Sequence, residues 1–215
     1  NKMPNLSKKD LEKRYVFKNM EMVTDQLERG QSLILCSAHY GNWEWGMLAL
    51  SLKFPNPKYV IFKPLNNELF NEWFYKVRAK FGNSPVAMKQ TLRTVIRSKN
   101  ETSVFCFASD QTPVKSPSDH WLNFLNQPTV VFSGAEKIAM QTNRPVVYIK
   151  VNVLKRGYYE AACVPVAAVP KETQEHEITA AQFTILENHI NANPAYWLWS
   201  HRRWKHKPET VTNES

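Results

Sequence analysis

The chain has 215 residues, 43% of them hydrophobic and 12% aromatic, which excludes a disordered polypeptide and fits one packed domain, although two small ones also suit the length. Lys and Arg outnumber Asp and Glu by 28 to 19, a net charge of +9, which suits an acidic partner: nucleic acid, an anionic membrane surface, a phosphorylated substrate or an acidic carrier protein. The best candidate for a membrane span, Leu33 to Leu52, is broken by His39, Asn42 and Glu44, and no cleavable signal pattern is present.

In chain order, Ser7-Lys8-Lys9-Asp10 resembles a capping box and opens a helix that keeps its apolar spacing (Leu11, Tyr15, Met22, Val23, Leu27) to Arg29, ahead of Gly30. Ser32 to Ala38 is a short apolar run suited to a buried strand. Asn42 can cap a helix running to about Phe54, ended by Pro55-Asn56-Pro57. A strand over Tyr59 to Lys63 precedes a long helix from Asn67 towards Gly82. Val86 to Met88 reads as a weak strand, Gln90 to Ser98 as a helix and Ser103 to Ala108 as a strong strand. From Asp110 to Pro128 the composition is that of a loop, long enough to carry function. Gly134 to Thr142 is helical, Val146 to Leu154 and Tyr158 to Val166 form a hairpin across Lys155-Arg156-Gly157, and Ala180 to Asn191 is a late helix. Residues 1–208 are expected to be one domain and residues 209–215 a flexible tail.

Strands alternating with helices predict an α/β fold with a mixed, mostly parallel sheet flanked by helices. Cys36, Cys106 and Cys163 each lie inside an apolar strand-like run without metal-ligand spacing, so they read as buried reduced thiols, as in a cytoplasmic protein, with no metal site. In such sheets ligands bind beyond the carboxyl ends of the strands, where His39, Lys63 and Asp110 fall.

His39 and Glu44 stand five apart in CSAHYGNWEWG, a spacing that 6 His and 19 acidic residues supply by chance roughly 0.5 times per chain, so context decides its meaning. A strand-to-helix loop, tightened by Gly41, lets a first-turn carboxylate reach the imidazole. The helix N-terminus favours the ionised form of Glu44, which could hold one ring nitrogen while the other takes a proton from an alcohol. The hydroxyl of the substrate would then attack, for instance on a thioester. The competing reading is a packing histidine beside an ordinary first-turn acid.

His39-Tyr40-Gly41-Asn42-Trp43-Glu44 resembles the His-x-x-x-x-Asp/Glu motif of glycerolipid-type acyltransferases, and specifically the H-[FY]-G-N-W-E version of bacterial lipid A secondary (lauroyl/myristoyl) acyltransferases. Lys63-Pro64-Leu65-Asn66-Asn67, Arg78 with Phe81-Gly82, Asp110-Gln111, Phe124 and the closing Trp197 to Lys205 are similar to further blocks of that family, in its order. Lys63 stands where the family more often has Arg, and Phe124-Leu125-Asn126 replaces its usual Phe-Phe-Gly.

The resemblance implies a glycerolipid-acyltransferase-like domain that moves an acyl chain from acyl carrier protein or coenzyme A to a hydroxyl of a phosphorylated lipid A precursor, without a resident cofactor. His39 would be the general base and Glu44 its orienting partner. Asn42, Lys63, Arg78, Asp110 and Gln111 would bind or shape the substrate. For Arg202 and Arg203 both carboxylate pairing within the fold and contact with an acidic partner stay open. The setting implied is the cytoplasmic face of a bacterial inner membrane, held by an N-terminal helix missing here or by an anionic surface. Acylation of another lipid (glycerol phosphate, an aminolipid or a glycosylated inositol lipid) is the near alternative. A basic nucleic-acid-binding domain is the remote one, since no nucleic-acid signature appears and most aromatics carry core spacing.

Overall fold

The computed structural model describes residues 3–114, 116 and 120–208. The Ser7 hydroxyl accepts from the Asp10 N–H at 3.1 Å and caps Lys8–Arg14 (α1). The helix expected to continue to Arg29 stops there: Tyr15–Lys18 (β1) is extended, and helix resumes only at Glu21–Glu28 (α2). The run YVFK is aromatic and β-branched, residues that lose rotamer freedom in a helix. Parallel pairing with Tyr159 to Ala162 satisfies one side of its backbone, and Tyr15 is fully buried, so tertiary packing overrides the helical spacing.

Then follow Leu33–Ser37 (β2), Trp43–Leu50 (α3), Lys58–Phe62 (β3), Glu68–Ala79 (α4), Asn83–Ala87 (β4), Thr91–Arg97 (α5) and Val104–Ala108 (β5). A hairpin of His120–Phe124 (β6) and Gln127–Val131 (β7) leads to Gly134–Thr142 (α6). The expected second hairpin, Val146–Lys155 (β8) and Tyr158–Ala167 (β9), precedes Glu177–Ala192 (α7).

Seven strands form one sheet in the order β1-β9-β8-β2-β5-β3-β4, in which only β8 and β9 pair antiparallel. The chain is thus an α/β domain with a mostly parallel sheet. Alternate residues of β2 sort onto its two sides. Leu33 and Leu35 meet α1, α2, α3 and α4 through Leu11, Val23, Leu48 and Val77. Ile34 and Cys36 meet α5, α6 and α7 through Val95, Ile138 and Leu186.

The second half of the expected Asp110 to Pro128 loop is the β6–β7 hairpin, while residues 115 and 117–119 lie outside the described residues, as does the expected tail. Its two-residue turn puts Leu125 (φ 51°) and Asn126 (φ 59°) both in the left-handed region, the geometry of a type I′ turn, with a leucine where Asn or Gly is usual. Pro128 is tolerated because a two-stranded ribbon leaves alternate N–H groups unpaired.

Helix α3 packs closely against β1 at Gly46. A Cβ on Gly46 would run into the phenol oxygen and Cζ of Tyr15, and that buried oxygen has no hydrogen-bond partner among the described residues. Alanine in a helix interior ordinarily gains up to about 1 kcal/mol over glycine. Here overpacking outweighs that gain, and Gly46→Ala is expected to destabilise the fold by about 1–3 kcal/mol, read as a lower urea midpoint. Tyr15→Phe should be close to neutral alone and recover part of the loss in the double variant, since the oxygen it deletes is unsatisfied. A midpoint unmoved by Gly46→Ala contradicts this packing.

Candidate active site

Strands β2 and β5 are parallel neighbours with Ser37 opposite Ala108. Two residues further along each strand are His39 and Asp110, so the register itself delivers them to the same place. The ring Nδ1 of His39 lies 2.6 Å from Asp110 Oδ1, and the His39 backbone N–H donates to both carboxylate oxygens at 3.1 Å. The indole N–H of Trp197 donates to Asp110 Oδ2 at 3.0 Å. Burial pushes the Asp110 carboxyl up, but the His39 ring, the Trp197 indole and the His39 backbone N–H outweigh it, so its pKa is lowered below the ordinary value.

An ionised carboxylate can only accept, so Nδ1 carries a hydrogen, and in the neutral ring Nε2 is then the nitrogen with the lone pair. The His39 side chain is 18% exposed, and Nε2 has no hydrogen bond among the described residues. The Trp43 ring meets the imidazole edge-on at 5.1 Å and limits its rotation. Gly41 holds the bend at φ 62°, and a Cβ there would press on Val151 and Val153 at 3.2–3.3 Å.

The expected partnership of His39 with Glu44 is not what the geometry shows. Among the described residues no hydrogen bond or ion pair joins them. Glu44, in the first turn of α3, instead receives a two-pronged contact from Arg78 of α4: Nε to Oε2 at 3.1 Å and Nη2 to Oε1 at 2.5 Å. Helices α3 and α4 share one side of the sheet, which is what brings the two together. The guanidinium also lies 5.2 Å from the Phe74 ring and 5.8 Å from that of Phe62. A guanidinium has five N–H donors, so this fork leaves three free of Glu44.

The remaining sequence candidates divide. Asn42 uses its side-chain oxygen to cap α3, accepting from the Trp45 N–H at 3.1 Å. Lys63 follows β3 and is exposed, with no ion pair among the described residues. Gln111 is half-buried beside Asp110.

The closing block contributes more than its charge suggested. Tyr196 and Trp197 lie across the His39 loop: Gly41 N–H donates to Tyr196 O at 2.9 Å and Leu198 N–H to His39 O at 3.1 Å. Trp197, not singled out as a site residue from sequence, thereby reaches Asp110. Arg203 fits neither reading offered for it. It is 2% exposed, donates from Nη2 to the Val130 carbonyl at 2.6 Å, and burial pushes its pKa down to about 10, with Asp110 opposing. The loop after Asp110 is tied to the same block, since Thr112 N–H donates to His201 Nε2 at 3.0 Å and the Thr112 hydroxyl to Arg203 O at 2.6 Å. His189 stacks on Tyr40 at 4.0 Å, and burial with Lys150 nearby lowers its pKa to about 4, so it is a neutral packing ring at neutral pH. The density of aromatic and basic residues in YWLWSHRRWK is a sequence signal for the roles of Trp197, His201 and Arg203.

A cleft of about 410 Å³ opens beside the loop, lined by Gly41, Trp43, Val153, Tyr159, Tyr196 and Leu198, with Arg156 also in its wall. Its wall mixes aromatic and aliphatic faces with polar atoms. A second cleft of about 510 Å³ lies between Leu125, Ile190, Trp199 and Trp204, with no titratable side chain in its lining among the described residues.

An imidazole fixed by a buried carboxylate, with no hydrogen bond on its second nitrogen among the described residues, can deprotonate a hydroxyl. Residues 2–206 match the family model described as bacterial lipid A biosynthesis acyltransferase. No curated protein matches the chain.

Proposed function

The chain belongs to the bacterial lipid A biosynthesis acyltransferase family, and on that premise we propose that it moves a fatty acyl chain from an acyl carrier protein or coenzyme A thioester to a hydroxyl of a lipid A precursor. The observation that carries this reading is the His39–Asp110 pair at the carboxyl ends of adjacent strands. His39 Nε2 takes the acceptor hydroxyl proton as the oxygen attacks the thioester carbonyl. The tetrahedral oxyanion is steadied by N–H donors, with Arg78 offering those its fork to Glu44 leaves over. The imidazolium then returns the proton to the departing thiolate.

In this reading Asp110 replaces Glu44 as the carboxylate that orients the ring, and Glu44 acts by holding Arg78. Lys63 is exposed at the same end of the sheet and is assigned to the acceptor phosphate, as a point charge rather than a fork. Gln111 and Asn42 shape the site through the two loops. The domain works at an anionic membrane surface, on the cytoplasmic face of the inner membrane, because the acceptor is a membrane lipid.

The direct experiment presents purified protein with acyl carrier protein and coenzyme A thioesters of several chain lengths, and with a lipid A precursor, glycerol phosphate and an aminolipid as rival acceptors. Acyl transfer to the lipid A precursor is the expected outcome. Transfer only to another acceptor replaces the acceptor while leaving the chemistry, and hydrolysis or transfer unaffected by loss of His39 contradicts the reading itself.

A further inference from the structure

We infer that the sheet edge at β4, with α4 on one side and α5 on the other, is a docking surface for an anionic lipid bilayer. Eight large hydrophobic side chains between Leu65 and Ile96 are exposed, where a monomer ordinarily scatters such residues singly. On α5 and the turn before it, Met88, Leu92 and Ile96 repeat every four residues and are 42%, 55% and 61% exposed. Thr91 and Val95, one residue behind, face the core instead. On α4, Leu69 and Phe70 are 80% and 60% exposed.

The charge follows the same path. Lys89, Arg93 and Arg97 form a second exposed stripe one position after the apolar one, and no Asp or Glu occurs between Asn83 and Asn100. Across residues 63–100 there are eight Lys or Arg against two acids, Glu68 and Glu72; with Lys76 paired to Glu72 and Arg78 to Glu44, six Lys or Arg face one acid. An apolar stripe bordered by basic side chains with aliphatic stems is the surface chemistry of a segment that lies in the headgroup region, its apolar side among the acyl chains and its cations on phosphates.

The topology favours a bilayer over an acidic carrier protein. Helices α4 and α5 lie on opposite sides of the sheet, so their exposed apolar residues flank a protruding edge rather than line a groove that could seat a partner helix. Helix α4 and the α5 stripe both begin at the carboxyl ends of β3 and β4, the end of the sheet that carries His39. Strand β3 is two places from β2, roughly 10 Å at the usual strand spacing, so docking this corner sets the site at the headgroup layer. The surface stands on its own residues; that docking serves acyl transfer rests on the function proposed above.

The test is vesicle flotation at fixed ionic strength with phosphatidylcholine alone and with 30 mol% phosphatidylglycerol, using wild type, Leu92→Ser/Ile96→Ser, Lys89→Glu/Arg93→Glu and Leu69→Ser/Phe70→Ser. Wild type is expected to float with the anionic vesicles and at least tenfold less with the neutral ones, and each double variant to lose at least tenfold in partitioning while keeping its circular dichroism and its turnover on a detergent-dispersed acceptor. Wild type that ignores anionic vesicles, or variants that bind them as wild type does, overturn the docking surface. So does loss of acyl carrier protein binding in the α5 variants with vesicle binding intact. Flotation needs no catalysis, so failure of the acyl-transfer reading registers separately, as absent turnover in protein that still floats.

Discussion

Asp110→Asn is expected to lower turnover about 10³–10⁴-fold, because an amide in place of the carboxylate lets the imidazole take the wrong tautomer. In the wild type the carboxylate accepts at 2.6 Å from His39 Nδ1 and leaves Nε2 free. The asparagine amide can donate to Nδ1 instead, which moves the ring hydrogen to Nε2 and removes the base. The variant keeps an oxygen for the His39 backbone N–H or for Trp197, so it should fold, with a loss of about 1–2 kcal/mol. Ring ¹⁵N shifts separate tautomer control from mere disturbance of the loop. The wild type should show the Nδ1–H form and the variant a shift towards Nε2–H, with the KM for the thioester within about threefold. A variant with normal tautomer and normal kcat rules Asp110 out as the orienting group.

Glu44→Ala is expected to cost about 10²-fold in kcat/KM through Arg78 rather than through His39. The two side chains are only 17% and 21% exposed, so removing the carboxylate leaves a largely buried guanidinium without its fork and costs about 1–3 kcal/mol of stability. Arg78→Ala should match it in activity, and the double variant should fall little below either single one, the mark of a coupled pair. The distinguishing readout is again the His39 ring, whose ¹⁵N shifts should stay at wild-type values in Glu44→Ala. Movement towards the Nε2–H form in that variant would return Glu44 to the role its five-residue spacing first suggested.

Much of the architecture was legible because each local signal agreed with its tertiary setting. Asn42 caps the helix it was expected to cap, a helix follows Asn67 as expected, Gly157 turns the β8–β9 hairpin, and the apolar runs around Cys36 and Cys106 are neighbouring inner strands. The misses arose where two periods coexist or a turn hides its type. Leu11, Tyr15, Val23 and Leu27 all face one core, so they satisfy helical spacing although a parallel strand interrupts it. The β6–β7 hairpin escaped because Leu125 and Asn126 take a conformation that Asn-Gly would have announced.

The site was legible as a set of residues more than as a set of partners. His39, Glu44, Arg78 and Asp110 were all candidates, but which carboxylate meets the imidazole depends on strand register. Five residues of sequence separate His39 from Glu44, and 71 separate it from Asp110, yet Ser37 opposite Ala108 makes the distant one the neighbour. Trp197 and Arg203 needed the same kind of long-range information, since their roles come from the chain end folding over the His39 loop. The basic patch on α5 forms no run in the sequence, because Lys89, Arg93 and Arg97 recur only every fourth residue and gather on one face once the helix forms.

The most direct measurement is single-turnover acyl transfer from a labelled acyl carrier protein thioester to the lipid A precursor by His39→Ala, beside wild type at matched melting temperature. Loss of the base should reduce the transfer rate about 10²–10⁴-fold with thioester binding retained. Transfer at the wild-type rate by a folded His39→Ala protein would contradict His39 as the base that activates the acceptor hydroxyl.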